Sequence, residues 1–140
     1  MLKKEITYTD YNGDERTENF YFNLTKAEMM EMELTADGGL ENMLDKMRNE
    51  RDMKKFLVFF KGLILKAYGE KSPDGKRFIK SEEISAGFEH TEAYSELFMQ
   101  LYSNPKELGE FLIGIIPGDI AKEAGPAMRE ELKKLEKPEA

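Results

Sequence analysis

A chain of 140 residues with no cysteine and a formal charge of −7 excludes a disulfide framework, a thiolate metal site and a cysteine nucleophile, and the acidic balance argues against nucleic acid as a default partner. The longest apolar patches, Phe56 to Phe60 and Leu63 to Leu65, are broken by Lys61 and Gly62 and fall well short of a membrane span. No apolar run succeeds the basic start Met1-Leu2-Lys3-Lys4, so the expectation is an intracellular chain, folded largely as one domain over residues 1–128 with a charged, fraying tail at 129–140.

The first element is a β-hairpin within residues 1–24. Asn12-Gly13 lies between two β-prone runs, and Phe20, Phe22 and Leu24 alternate with Tyr21 and Asn23, which gives the second strand one apolar face. A lone hairpin is marginal in water and must dock on other elements of the chain. The candidate is a helical core over residues 25–116, so the expected fold class is α+β, mainly α, with the hairpin packed on a compact bundle of about five to six helices. Thr25-Lys26-Ala27-Glu28 is a capping box that starts the first helix. On a 3.6-residue period Leu24, Ala27, Met30 and Leu34 face inward, with Met29 and Met32 on the opposite side.

After Ala36-Asp37-Gly38-Gly39, a second helix carries the stripe Leu40, Met43, Leu44, Met47. A third, about residues 52–68, has Met53, Phe56, Leu57, Phe60, Ile64 and Ala67 on one side and Val58, Phe59, Leu63 and Leu65 around the rest, which reads as the central helix. Gly69 stands where a left-handed residue closes a helix, and Ser72-Pro73-Asp74-Gly75 has the fixed φ and permissive glycine of a tight turn. The chain returns as Phe78-Ile79. Short helices come next near 81–88 and 91–103, the latter striped by Tyr94, Leu97, Phe98 and Leu101. Asn104-Pro105-Lys106-Glu107 reads as N-cap, N1 proline and capping-box glutamate, opening a helix with Leu108, Phe111, Leu112, Ile115 and Ile116 inward. Beyond Pro117-Gly118 only the sparse stripe Met128, Leu132, Leu135 is left.

Nothing in this pattern is catalytic. His90 is the only histidine and has no partner for metal binding or nucleophile activation. Asp10-Tyr11-Asn12-Gly13-Asp14-Glu15 offers oxygen ligands, but its glycine is fourth rather than sixth and strands flank it, so it is a turn rather than a calcium loop. No glycine is followed by the Lys-Ser or Lys-Thr of a phosphate loop. No catalytic residue, cofactor or metal is expected. Methionine does stand out: six of nine, Met29, Met30, Met32, Met43, Met47 and Met53, cluster before and into the third helix. A methionine surface repacks around different partners. The candidate partner contacts are therefore Met29 and Met32, off the inward stripe, Ile113, which departs from the stripe of its own helix, and a basic strip of Lys54, Lys55, Lys61 and Lys66 able to receive an acidic partner.

Three stretches in fixed order, Tyr8-Thr9-Asp10-Tyr11-Asn12-Gly13, Asn19 to Glu28 and Leu63 to Ser81, carry a resemblance to the tail assembly chaperones of long-tailed bacteriophages and prophages of Gram-positive hosts. The resemblance implies a non-enzymatic protein that binds the tape measure protein, keeps it soluble and helps recruit major tail tube subunits around it. It further implies action in the host bacterial cytoplasm, absence from the mature virion and, in many members, a longer frameshifted form. Tape measure protein and tube protein are the partners the resemblance implies; the exposed edges of the hairpin allow self-association, and the acidic charge and short apolar patches leave neither nucleic acid nor membrane as an expected partner. The alternative is a structural virion component, such as a head–tail connector or tail completion protein.

Overall fold

In the computed structural model, which describes residues 1–34 and 53–122, the hairpin pairs β1 (Leu2–Thr9) with β2 (Glu15–Phe22) antiparallel along their whole length, Leu2 opposite Phe22 and Thr9 opposite Glu15. The loop between them is Tyr11-Asn12-Gly13 rather than a two-residue Asn-Gly turn. Only Gly13 has positive φ, at 86°, whereas a type I′ turn needs it at both central residues. The Asp10 side chain explains the choice: it accepts the N–H groups of Asn12 (2.9 Å) and Asp14 (3.0 Å) and the Arg16 guanidinium at 2.6 Å, so an Asx-type turn organises the loop.

The helices are α1 (Lys26–Leu34), α2 (Met53–Ala67), α3 (Glu82–Glu89), α4 (Glu92–Ser103) and α5 (Pro105–Ile115), with a short helical turn at 118–122. Within the span expected to be a helical core, two further strands extend the hairpin. β3 (Tyr68–Lys71) pairs with β2 at Tyr21 and Phe22, and β4 (Phe78–Ile79) pairs with β3, giving an antiparallel sheet in the order β1-β2-β3-β4. Gly69 is therefore no left-handed helix cap. It lies in β3, and a Cβ there would meet the Phe78 ring at 2.7 Å and the Ile79 carbonyl at 2.9 Å, so close strand approach is what requires glycine. The Ser72–Gly75 turn forms as expected: Gly75 has φ 73° and donates to the Ser72 carbonyl, and the buried Ser72 hydroxyl bridges Asp74 and the Arg77 N–H.

The apolar face of β2 meets the helices through an aromatic seam. Phe22, fully buried, sets its ring against Phe111 at 5.2 Å and Phe88 at 5.7 Å, and Tyr68 stacks on Phe88 at 4.2 Å. Just past β2, Asn23 donates its N–H to the Ala67 carbonyl and Leu24 to that of Ile115, so one extended segment ties down the ends of α2 and α5. The inward stripe Leu108, Phe111, Leu112, Ile115 and Ile116 of α5 is buried as its spacing predicts, as are Phe60, Ile64 and Ala67 of α2 and Leu97 and Leu101 of α4. The Asn104 side chain caps α5, but the Glu107 carboxylate takes the Gln100 amide at 2.6 Å and Lys4 at 3.5 Å instead of closing a capping box.

The capping box at Thr25 forms in both directions, at 2.9 and 3.1 Å, yet the phase of α1 differs from the periodicity reading. Met29 is buried at 5% exposure, while Met30, expected inside, is 60% exposed and Ala27 is exposed too. The cause is a hydrophobic staple: Leu24 precedes the cap, Met29 is its fourth-position partner, and both join the core. The second helix expected around Leu40 to Met47 and the stripe Met128, Leu132, Leu135 lie outside the described residues.

Candidate apolar docking groove

α2 and α4 each carry apolar side chains on two sides. Their inner sides supply Phe60, Leu63, Ile64, Ala93, Leu97 and Leu101 to the core. About 100° of helix rotation per residue brings Leu57, Val58 and Lys61 on α2 opposite Tyr94, Ser95, Phe98 and Met99 on α4, and these line an open groove of about 320 Å³. Its floor is tied to the core, the Phe98 ring lying 6.0 Å from Phe60 and 6.0 Å from Tyr94. Along α4 the row continues: Tyr102 stacks on Phe98 with an 8° interplanar angle. The rims are open, with Val58 69% and Met99 55% exposed, so the groove adds up to a contiguous apolar surface rather than isolated exposed side chains.

One ion pair frames the groove. Lys61 reaches Glu89 at 2.7 Å, and each holds the other charged: hydrogen bonding to Glu89 raises the Lys61 ammonium, and hydrogen bonding to Lys61 lowers the Glu89 carboxyl. Burial pushes the Tyr94 phenol up, against a smaller opposing pull from Lys61. With a neutral Tyr94 phenol and a closed ion pair, the groove presents a mainly apolar surface that selects by shape more than by charge.

The candidates read from sequence scatter. Met29 is in the core and cannot be a surface contact in this fold, and Ile113 is half-buried and packed against the core rather than exposed. Met32, Lys54 and Lys55 have side chains outside the described ones. The basic strip divides: five positions, a rotation of about 140°, separate Lys61 from Lys66. Lys61 borders the groove, whereas Lys66 lies on the side of Lys80, whose ammonium it opposes electrostatically. Sequence reading misses Val58 and Met99 as a pair. The signal is there, since each is apolar and off the inward stripe of its helix, but a helix apolar all round reads as wholly buried.

A different contact shows how the base of α1 is fixed. Lys80, at the end of β4, donates to both Glu28 oxygens at 2.8 and 2.7 Å and to the Asn23 carbonyl at 2.6 Å. Burial works against both charges. It leaves the Lys80 ammonium below its ordinary range in spite of Glu28, whereas the Lys80 and Thr25 hydrogen bonds outweigh it at Glu28 and hold that carboxyl below its range. The two shifts weigh one contact differently, and the two-pronged geometry favours the charged pair.

The family model described as phage tail assembly chaperone matches residues 1–140. This chain belongs to the phage tail assembly chaperone family. No curated protein and no solved structure matches it. For a tail assembly chaperone the relevant chemistry is protein binding, and the apolar groove between α2 and α4 is left open by the other described residues. No described helix is long and apolar enough to cross a membrane.

Proposed function

We propose that this chain is a non-enzymatic tail assembly chaperone that binds the tape measure protein, keeps it soluble and helps recruit major tail tube subunits, working in the host bacterial cytoplasm and leaving before the virion matures. The observation that carries the reading is membership of the chaperone family along the entire chain. The groove between α2 and α4 supports it by offering a place for such a partner. A long helical protein presents apolar stripes, and a helix laid along a groove inserts side chains at i, i+3, i+4 and i+7. Exposed Met99 adapts to varying side chains, and the aromatic floor of Tyr94 and Phe98, continued along α4 by the stacked ring of Tyr102, gives rigid contact area.

Co-expression with the tape measure protein tests the function. The expected result is a tape measure protein that stays in the soluble fraction and co-purifies with this chain, together with virions that lack the chain by mass spectrometry. Failure to co-purify, or presence in virions at tube stoichiometry, contradicts the reading and favours a structural component.

A further inference from the structure

The groove leaves one part of the sheet unexplained. β2 is paired with β1 throughout, but on its other side β3 pairs only with Tyr21 and Phe22. Residues Glu15 to Asn19 are all exposed. The hydrogen-bond alternation of the hairpin identifies which groups are open. Asp10 donates its N–H to the Asp14 carbonyl, so those two form a hydrogen-bonded pair, and alternate pairs from there, Tyr8 with Arg16 and Ile6 with Glu18, bond inward. The N–H and C=O groups of Glu15, Thr17 and Asn19 therefore point away from β1. The same parity puts the backbone of Tyr21 toward β3, where it pairs with Gly69, and that of Asn23 toward Ala67, to which it donates at 2.8 Å.

Where this open edge reaches β3, the inner face of the sheet borders a second hollow of about 330 Å³. Phe20, Tyr68 and Phe88 form its aromatic wall, with Phe20 and Phe88 rings 5.3 Å apart, and Glu70 and Glu83 stand at its rim. Neither glutamate has an ion-pair partner among the described residues. Glu18 adds a third carboxylate on the inner face, and burial, then the charges of Glu70 and Glu18, raise the Tyr68 phenol. Arg16, the only cation of β2, is already held by Asp10 at 2.6 Å and Glu18 at 3.7 Å. An aromatic wall flanked by the carboxylates of Glu70 and Glu83, which have no ion-pair partner among the described residues, suits a guanidinium or ammonium, by cation–π contact and ion pairing together.

We infer that the outer edge of β2 at Glu15, Thr17 and Asn19 is a strand-addition site for an extended segment of a partner protein that carries an arginine or lysine, whose side chain enters the hollow lined by Phe20, Tyr68, Phe88, Glu70 and Glu83. Backbone pairing supplies register and the hollow supplies selection for a cation. Glu15 on the outer face and Glu18 on the inner face disfavour acidic segments along the same edge. The site shares no lining residue with the α2–α4 groove, so it can be occupied together with it.

The test uses the full chain and two capped six-residue peptides of alternating valine and threonine, one with a central arginine and one with glutamate in its place, observed by amide NMR and hydrogen exchange. The arginine peptide is expected to shift and protect the amides of Glu15, Thr17 and Asn19, and to bind roughly tenfold more tightly than the glutamate peptide. Charge reversal by Glu70→Lys with Glu83→Lys, both exposed, should weaken it by a similar factor of about ten. Thr17→Pro should abolish binding with the thermal unfolding transition retained, because the Thr17 N–H makes no bond to β1 and proline is tolerated at such edge positions. Equal binding of the two peptides, no binding of either, or wild-type affinity in the charge-reversed or proline variant overturns the inference. So does protection of the same edge without peptide that grows with protein concentration, which would assign it to a second copy of this chain. None of these outcomes depends on tape measure binding.

Discussion

The inner and outer sides of α2 and α4 are built from similar residues and meet different fates. Inside, Phe60 and Leu97 are sealed in the core; outside, Val58 and Met99 remain more than half in solvent on the same helices. Apolar character alone therefore does not report a structural role in this chain. The inner set belongs to the core, and the outer set lines the groove proposed to hold a partner.

Substitutions separate the two. The largest effect is expected from Phe60→Ala, which empties a ring site that is 1% exposed and should cost about 3–5 kcal/mol in urea unfolding. A cost below about 1 kcal/mol would mean that the inner side of α2 is not the core it is taken to be. Gly69→Ala comes next. The new methyl meets the Ile79 backbone as well as the Phe78 ring, so a loss of about 1–3 kcal/mol is expected, and an unchanged midpoint would show that β3 and β4 are not so closely apposed.

The Glu28–Lys80 contact gives a smaller effect with a sign. A carboxyl held below its unfolded pKa contributes stability that is complete above that pKa, about 4.3, and is lost as pH falls through the folded value. Stability should therefore decline between about pH 5 and 3, and Glu28→Gln should flatten that part of the profile. An identical acid limb in the variant would show that Glu28 does not set it. The smallest change in stability is expected at the groove, where Val58→Ser or Met99→Ser should stay within about 0.5 kcal/mol of wild type. If either approached the effect of Phe60→Ala, the outer side would be core after all.

Legibility in the sequence depends on whether the deciding interaction is local. The capping box at Thr25, the N-cap at Asn104 and the inward stripe of α5 come from short-range chemistry and form as read, whereas Glu107 leaves the box at Asn104 for Gln100 and Lys4. Periodicity misreads the phase of α1 because nine residues are too few for it to outweigh the staple between Leu24 and Met29. β3 and β4 escape for another reason: Gly69 and Phe78-Ile79 become strand only by pairing with each other's neighbourhood and with β2, a contact nearly fifty residues away in sequence. The groove is hidden in the same way. Whether Val58 is inside or outside depends on how closely α4 approaches α2, which no window of either helix encodes.

The groove between α2 and α4 is the surface proposed to hold the partner. Its most direct test is methyl NMR of the full chain with labelled methionines, titrated with a soluble fragment of the tape measure protein. Met99 in the groove should shift or broaden while Met29 in the core stays in place. Binding that leaves the Met99 methyl unmoved would contradict the assignment.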